Sequence, residues 1–192
     1  MAKIIYLVRH GQTLFNLRHK TQGRVDSPLT DLGIKQAEAA RDYLQKNGIY
    51  FDKAFCSTQE RASDTLEIVT NYQMKYERLK DLREKYYGIY EGQDEYTLPW
   101  NRGLKREADP SIEPDAKVVA RMEKAINYIL SKMNEGESAI IVGHGDMLGQ
   151  YVRKHNNGLH FEKFKNCAIA KLSVEEDEIK LLDYIWPAKN VQ

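Results

Sequence analysis

Ile4-Ile5-Tyr6-Leu7-Val8-Arg9-His10-Gly11 is the stretch on which the fold turns. Five apolar residues in a row, with no polar alternation, predict a strand buried on both faces, as in a parallel sheet covered by helices. The run is far too short for the apolar core of a secretory leader and gives way at once to Arg9 and His10. The residues just past its end matter as much, because open α/β sheets bind ligands outside the carboxyl ends of their parallel strands.

Downstream the pattern alternates. Residues 31–45 predict a helix with Thr30 as N-cap, Ile34, Ala37, Ala40 and Leu44 on one face, and Gly48 just past its end. Residues 53–56 predict a second strand, and Ser57-Thr58-Gln59-Glu60 has the S-x-x-E form of a capping box, opening a helix with Ala62, Leu66 and Val69 turned inward. A third helix is predicted over 115–133 from Val118, Met122, Ile126, Ile129 and Met133. Residues 139–142 read as another buried strand and 147–154 as a helix, while 168–174 and 179–185 predict a closing hairpin. The expectation is an α/β three-layer sandwich: a mainly parallel central sheet, helices on both faces and an antiparallel edge. Residues 92–114, with Pro99, Trp100, Gly103, Pro110 and Pro114, stand out as a long irregular connection, the kind that serves as a lid.

Composition narrows the function classes. The chain has 192 residues, 42% of them apolar and 30% charged, which predicts a single domain over 1–192 with its own core. Its 29 basic and 28 acidic residues give a net charge of +1, arguing against a nucleic-acid binder or an electrostatically held membrane protein. No stretch approaches the roughly 18 apolar residues of a membrane span. Two cysteines, Cys56 and Cys167, are too few for a disulfide framework. The cytoplasm is the expected location.

Three strand ends carry unusual side chains: Arg9-His10-Gly11, then Ser57 with Arg61 one helical turn in, then Gly143-His144-Gly145. Two arginines and two histidines around one crevice would repel one another unless an anion bound there. Phosphate suits them, since a guanidinium grips two of its oxygens in parallel. There is no P-loop and no dinucleotide fingerprint, and His144 with Asp146 lacks the further ligands of a metal cluster. A lone histidine at a strand end is more often structural than catalytic; two beside two arginines are harder to dismiss. His19, His155 and His160 fit no motif and are expected at the surface.

Taken in order, these residues resemble the histidine phosphatase superfamily, also called the phosphoglycerate mutase-like family. Leu7 to Thr13 with Asn16 is similar to its R-H-G-x-T-x-x-N motif, 23–30 to G-x-x-D-x-P-L-T, 57–65 to S-x-x-x-R-A-x-x-T, 82–88 to L-x-E-x-x-Y-G, and 142–145 to the second histidine motif. The resemblance implies that His10 attacks phosphorus, that Arg9, Arg61 and His144 surround the phosphoryl oxygens, and that Glu84 exchanges the proton with the leaving oxygen and the incoming water. It also implies that Asn16, Gln22, Gly23 and Gly145 line the phosphate or substrate side, with Lys85 and Tyr87 near the leaving group. The expected partner is a small phosphorylated substrate, with no metal and no cofactor.

The family holds both hydrolases and mutases. The short chain end after Trp186-Pro187, the run Gly88-Ile89-Tyr90-Glu91-Gly92, and Asp146 where mutases usually have Asn favour a phosphomonoesterase. The alternative is a phosphoglycerate mutase, for which 2,3-bisphosphoglycerate would be the primer and Lys105-Arg106 would stand for its paired arginines. A non-catalytic binding module is the remote alternative, weakened by the intact catalytic set.

Overall fold

The computed structural model describes residues 1–156, 158, 163–176 and 178–192. Among these, six strands form one sheet: β1 (Lys3–Arg9), β2 (Lys53–Ser57), β3 (Glu77–Leu79), β4 (Ser138–Gly143), β5 (Ile169–Glu175) and β6 (Glu178–Ile185). Their order is β3-β2-β4-β1-β5-β6, with the first four parallel and β5 and β6 antiparallel at one edge. The helices are α1 (Leu14–Leu17), α2 (Asp31–Lys46), α3 (Glu60–Val69), α4 (Asp115–Ser131) and α5 (Gly145–Lys154).

The period of two along each strand explains the layers. Ile5, Leu7 and Ile141 pack with Met122, Ile126 and Leu148 of α4 and α5. Tyr6, Val8 and Val142, pointing the other way, pack with Ala37, Leu44 and Leu66 of α2 and α3. Both faces of β1 are therefore covered, which is why its sequence shows no polar alternation. Each fully buried Leu or Ile contributes about 1.5–3 kcal/mol.

Three local expectations give way. Ile34 is 39% exposed, because the inward positions at the start of α2 go to Gly33 and Gln36. Gln36 accepts a hydrogen bond from the Gln12 N–H at 2.9 Å. A Cβ on Gly33 would lie 2.1 Å from the Gln12 carbonyl oxygen, and one on Gly11 would lie 2.4 Å from that of Gly33. The loop after β1 thus rests on the backbone of the first turn of α2, and Ile34 is rotated outward. The capping box at 57–60 does not form: Ser57 ends β2, Gln59 is the N-cap without a side-chain bond, and the Glu60 N–H donates to Asp26. Helix α5 starts two residues early, at Gly145, with His144 as its N-cap.

The connection 92–114 folds as short turns, including 3₁₀ segments at Glu95–Thr97 and Pro99–Arg102. It is tied to residues 19–21 by the Thr21 N–H to Gln93 carbonyl bond at 2.8 Å, the Glu95 N–H to His19 carbonyl bond at 2.8 Å and the Lys20–Asp94 ion pair at 2.6 Å. No helix among the described residues is long and apolar enough to cross a membrane.

Candidate active site

Register brings the two histidines together. Val8 pairs with Val142 and Arg9 with Gly143, so His10 and His144 each stand one residue beyond adjacent strand ends. Strand β1 then leads to α2 on one face and β4 to α5 on the other, which opens a crevice between them. The rings lie 5.2 Å apart, centroid to centroid. His10 Nδ1 is 2.7 Å from the Gly11 carbonyl oxygen. A carbonyl only accepts, so Nδ1 carries the proton and Nε2 keeps its lone pair. Nε2 faces the Arg61 Nε–H at 3.3 Å. Burial first, then the charges of Arg61 and Arg9, hold His10 well below the usual imidazole value. The ring is neutral at pH 7.

Arg61 is oriented by a loop rather than by its own helix. Its terminal nitrogens donate to the carbonyls of Gly23 (2.7 Å) and Val25 (3.0 Å) and to the Asp26 carboxylate (2.8 Å). Gly23 has φ +56, and a Cβ there would sit 2.1 Å from Glu91 Oε1, the atom that accepts from the Arg24 and Tyr87 N–H groups. Thr65 donates to the Arg61 carbonyl and accepts from the Gly11 N–H, tying α3 to the loop that carries His10. Gln59 joins the remaining parts, donating to the Gly23 carbonyl at 2.9 Å and accepting from the Glu84 N–H at 2.8 Å. Arg9 is half-buried, with Nη1 on the Phe164 carbonyl at 2.7 Å, while its Nε has no partner among the described residues. Both nitrogens of His144 likewise have no partner among the described residues.

The first turn of α5 already holds a carboxyl group of the chain itself, that of Glu84. Its carboxylate accepts from the N–H groups of Lys85 (2.8 Å), Asp146 (3.0 Å) and Met147 (3.0 Å). Those bonds favour the ionised form, but burial, and then the charge of Asp146, outweigh them and raise Glu84 above the usual carboxylate range. A cavity of about 340 Å³ opens over these groups, with Arg9, His10, Arg61 and Glu84 at its floor and Tyr87, Leu98, Trp100 and Arg106 along its roof.

A sequence model of the histidine phosphatase superfamily (branch 1) matches residues 5–186. The chain belongs to that superfamily. Among histidine phosphatase relatives, an uncharacterised phosphatase of Bacillus subtilis is 27% identical over 187 residues, covering 94% of this chain and 93% of the relative. A 2,3-bisphosphoglycerate-dependent phosphoglycerate mutase of Allorhizobium ampelinum is 32% identical over 166 residues, covering 79% of each. The solved structure of a phosphoglycerate mutase from Bacillus anthracis superposes with a TM-score of 0.87 at 23% identity, covering 97% of this chain and 94% of the other.

Of the histidine phosphatase residues expected from sequence, Asn16, Gln22, Gly23, Tyr87 and Gly145 line the cavity with Arg9, His10, Arg61 and Glu84. Asn16 also caps Thr13 reciprocally, and the Gln22 amide exchanges hydrogen bonds with the Thr13 and Ser27 hydroxyls. His144 and Lys85 do not line it. His144 is 0% exposed beneath His10, and Lys85, 1% exposed, is turned back onto Asp115 under the Trp100 ring. The N–H groups of Asp146 and Met147 in the first turn of α5 are directed to Glu84. Of the remaining histidines, His19 is exposed, His155 is half-buried against Tyr151, and His160 lies outside the described residues. Sequence reasoning passed over Asp26, Gln59, Glu91 and Asn166, whose amide donates to the His10 carbonyl at 2.9 Å. The D-x-P-L-T and S-x-x-x-R-A-x-x-T stretches contain the first two, so position within those motifs was the available signal.

Proposed function

We propose that the chain is a phosphomonoesterase acting on a small phosphorylated metabolite through a phosphohistidine intermediate, with no metal required. One observation carries the reading: His10 is fixed by the Gly11 carbonyl in the tautomer whose Nε2 lone pair meets the cationic edge of Arg61. In the first step Nε2 bonds to phosphorus as the ester P–O bond breaks, and protonated Glu84 gives its proton to the departing oxygen. In the second, water adds to phosphorus, Glu84 takes the proton, the P–N bond breaks, and phosphate leaves with His10 neutral again. Arg9 and Arg61 stabilise charge on the phosphoryl oxygens in both steps. Two guanidiniums at the floor repel a divalent cation, which supports a metal-free reaction. Hydrolysis is favoured over transfer between phosphoglycerates because Arg106, the roof's guanidinium, already faces the carboxylates of Asp146 and Asp115 and has little left for a substrate carboxylate.

The test is phosphorus NMR on EDTA-treated protein with phenyl phosphate, and separately with 3-phosphoglycerate and a trace of 2,3-bisphosphoglycerate. Inorganic phosphate should form in the first tube and no 2-phosphoglycerate in the second. In His10→Ala, hydrolysis should fall at least about 10⁴-fold, with no acid-labile phosphoenzyme after rapid quench. Formation of 2-phosphoglycerate would replace the reading with a mutase.

A further inference from the structure

Beside the phosphate floor lies a second charged cluster that touches neither His10 nor Arg61. Asp146 is the second residue of α5, and its N–H is one of the three that bind Glu84. Its Oδ2 accepts from the Tyr87 hydroxyl at 2.6 Å and forms a close ion pair with Arg106, while Oδ1 accepts from Gln150 at 2.7 Å. Arg106 lies over the Trp100 ring, 5.0 Å from its centroid, with Nε 3.6 Å from Asp115. Asp115 in turn pairs with Lys85 and accepts from Gln150 at 3.1 Å. Arg106 and Trp100 belong to the connection 92–114; Asp146, Gln150 and Asp115 belong to the helices beneath it.

We propose that Asp146, paired with Arg106 of the connecting segment, is a positioning residue that sets the proton affinity of Glu84 for its work as acid and base. The inference rests on the phosphohistidine reading above. The charged and titratable groups facing Glu84 are Arg9 from β1, Arg61 from α3, Tyr87 from its own loop and Asp146 from α5, with Arg106 and Lys85 acting through the carboxylates they bind; His10 and His144 are neutral. Arg9 and Arg61 are fixed to backbone carbonyls and pull Glu84 toward ionisation. Asp146 opposes them. Burial works against the Asp146 charge, but Arg106, the Tyr87 hydroxyl and the Gln150 amide outweigh it and hold that carboxyl below its ordinary value. A permanently ionised Asp146 next to Glu84 raises the latter, and Arg106 limits by how much. The Arg106 side chain is 35% exposed, so the roof's contribution can be withdrawn without unpacking the core.

The experiment is the pH dependence of kcat/KM for phenyl phosphate on the full chain, whose basic limb reports the acid that protonates the leaving group. Asp146→Asn removes the repelling charge, so the limb should move acidward by on the order of one pH unit. Arg106→Gln bares Asp146 and should move it in the alkaline direction, and Arg106→Lys should restore it. With p-nitrophenyl phosphate, whose leaving group needs little protonation, both rate effects should shrink. A merely structural role would lower the rate at every pH and leave the limb in place for both variants, and that result overturns the inference while His10→Ala remains inactive. Turnover surviving in His10→Ala overturns the phosphohistidine reading and the inference with it. If Asp146→Asn does not fold, the Arg106→Gln and Arg106→Lys pair still decides the sign.

Discussion

The floor and the roof of the cavity are built by different means. At the floor, mostly main-chain groups hold the side chains: a carbonyl orients His10, two carbonyls and the Asp26 carboxylate fix Arg61, and three N–H groups fix Glu84. The roof is held side chain to side chain, with Trp100 and Arg106 resting on Asp146, Asp115 and Lys85 behind them. Backbone anchors fix geometry to the precision of the sheet; ion pairs that reach the half-exposed Arg106 set charge while tolerating movement. The chemistry should therefore fail outright when the floor is altered and change by degrees when the roof is.

The largest effect expected on this contrast is at the floor. Glu84→Gln can keep the two backbone bonds at one oxygen, from Lys85 and Met147, gives up the one from Asp146 at the other, and loses the proton chemistry, so kcat/KM for phenyl phosphate should drop about 10²- to 10⁴-fold, with a much smaller loss on p-nitrophenyl phosphate. Equal losses on both substrates would mean that Glu84 acts through structure instead. At the roof, Trp100→Ala should raise KM several-fold and leave kcat within about twofold, because it removes a cation–π support worth roughly 0.5–1 kcal/mol and no reacting group. A collapse of kcat in steady-state assays would break the distinction between the two regions. The smallest effect is on stability. Burial, followed by Arg61, holds His144 well below the usual imidazole value, while the unfolded chain takes up a proton near pH 6.5. The stability its neutral ring contributes is present above about pH 6.5 and is lost as pH falls toward the folded value, by up to about 1.4 kcal/mol per pH unit. Glu84, shifted upward, tilts the curve oppositely above its ordinary 4.5, so His144→Gln isolates the ring. Urea unfolding between pH 5 and 8 should be less pH-dependent in that variant; an unchanged slope would mean that the buried ring is protonated in the fold.

The same division separates the parts legible in sequence from the parts that were not. The run at residues 4–8 announces a doubly buried strand because burial on both faces erases polar alternation, and His10, Arg61, Glu84 and His144 sit in motifs whose order is preserved along the chain. The illegible parts depend on contacts without a local signature. Ser57-x-x-Glu60 has the form of a capping box, but Asp26, far back in sequence, takes over the Glu60 N–H and holds Arg61 as well. Ile34 has the right spacing for a buried face and still points outward, because Gly33 must meet the loop after β1. Lys85 sits beside Glu84 in sequence, yet the main chain sends it behind Trp100 to Asp115. Arg106 and Asp146 are 40 residues apart, and nothing in either neighbourhood announces the other.

The contact between Gly11 and Gly33 bears on how the protein tolerates change. Neither residue has a reactive side chain, yet a single added carbon at either would push the loop that carries His10 off the helix that seats it. On the proposed reaction, substitution at two positions with no functional group at all should disturb the site as surely as substitution of a side chain that lines it.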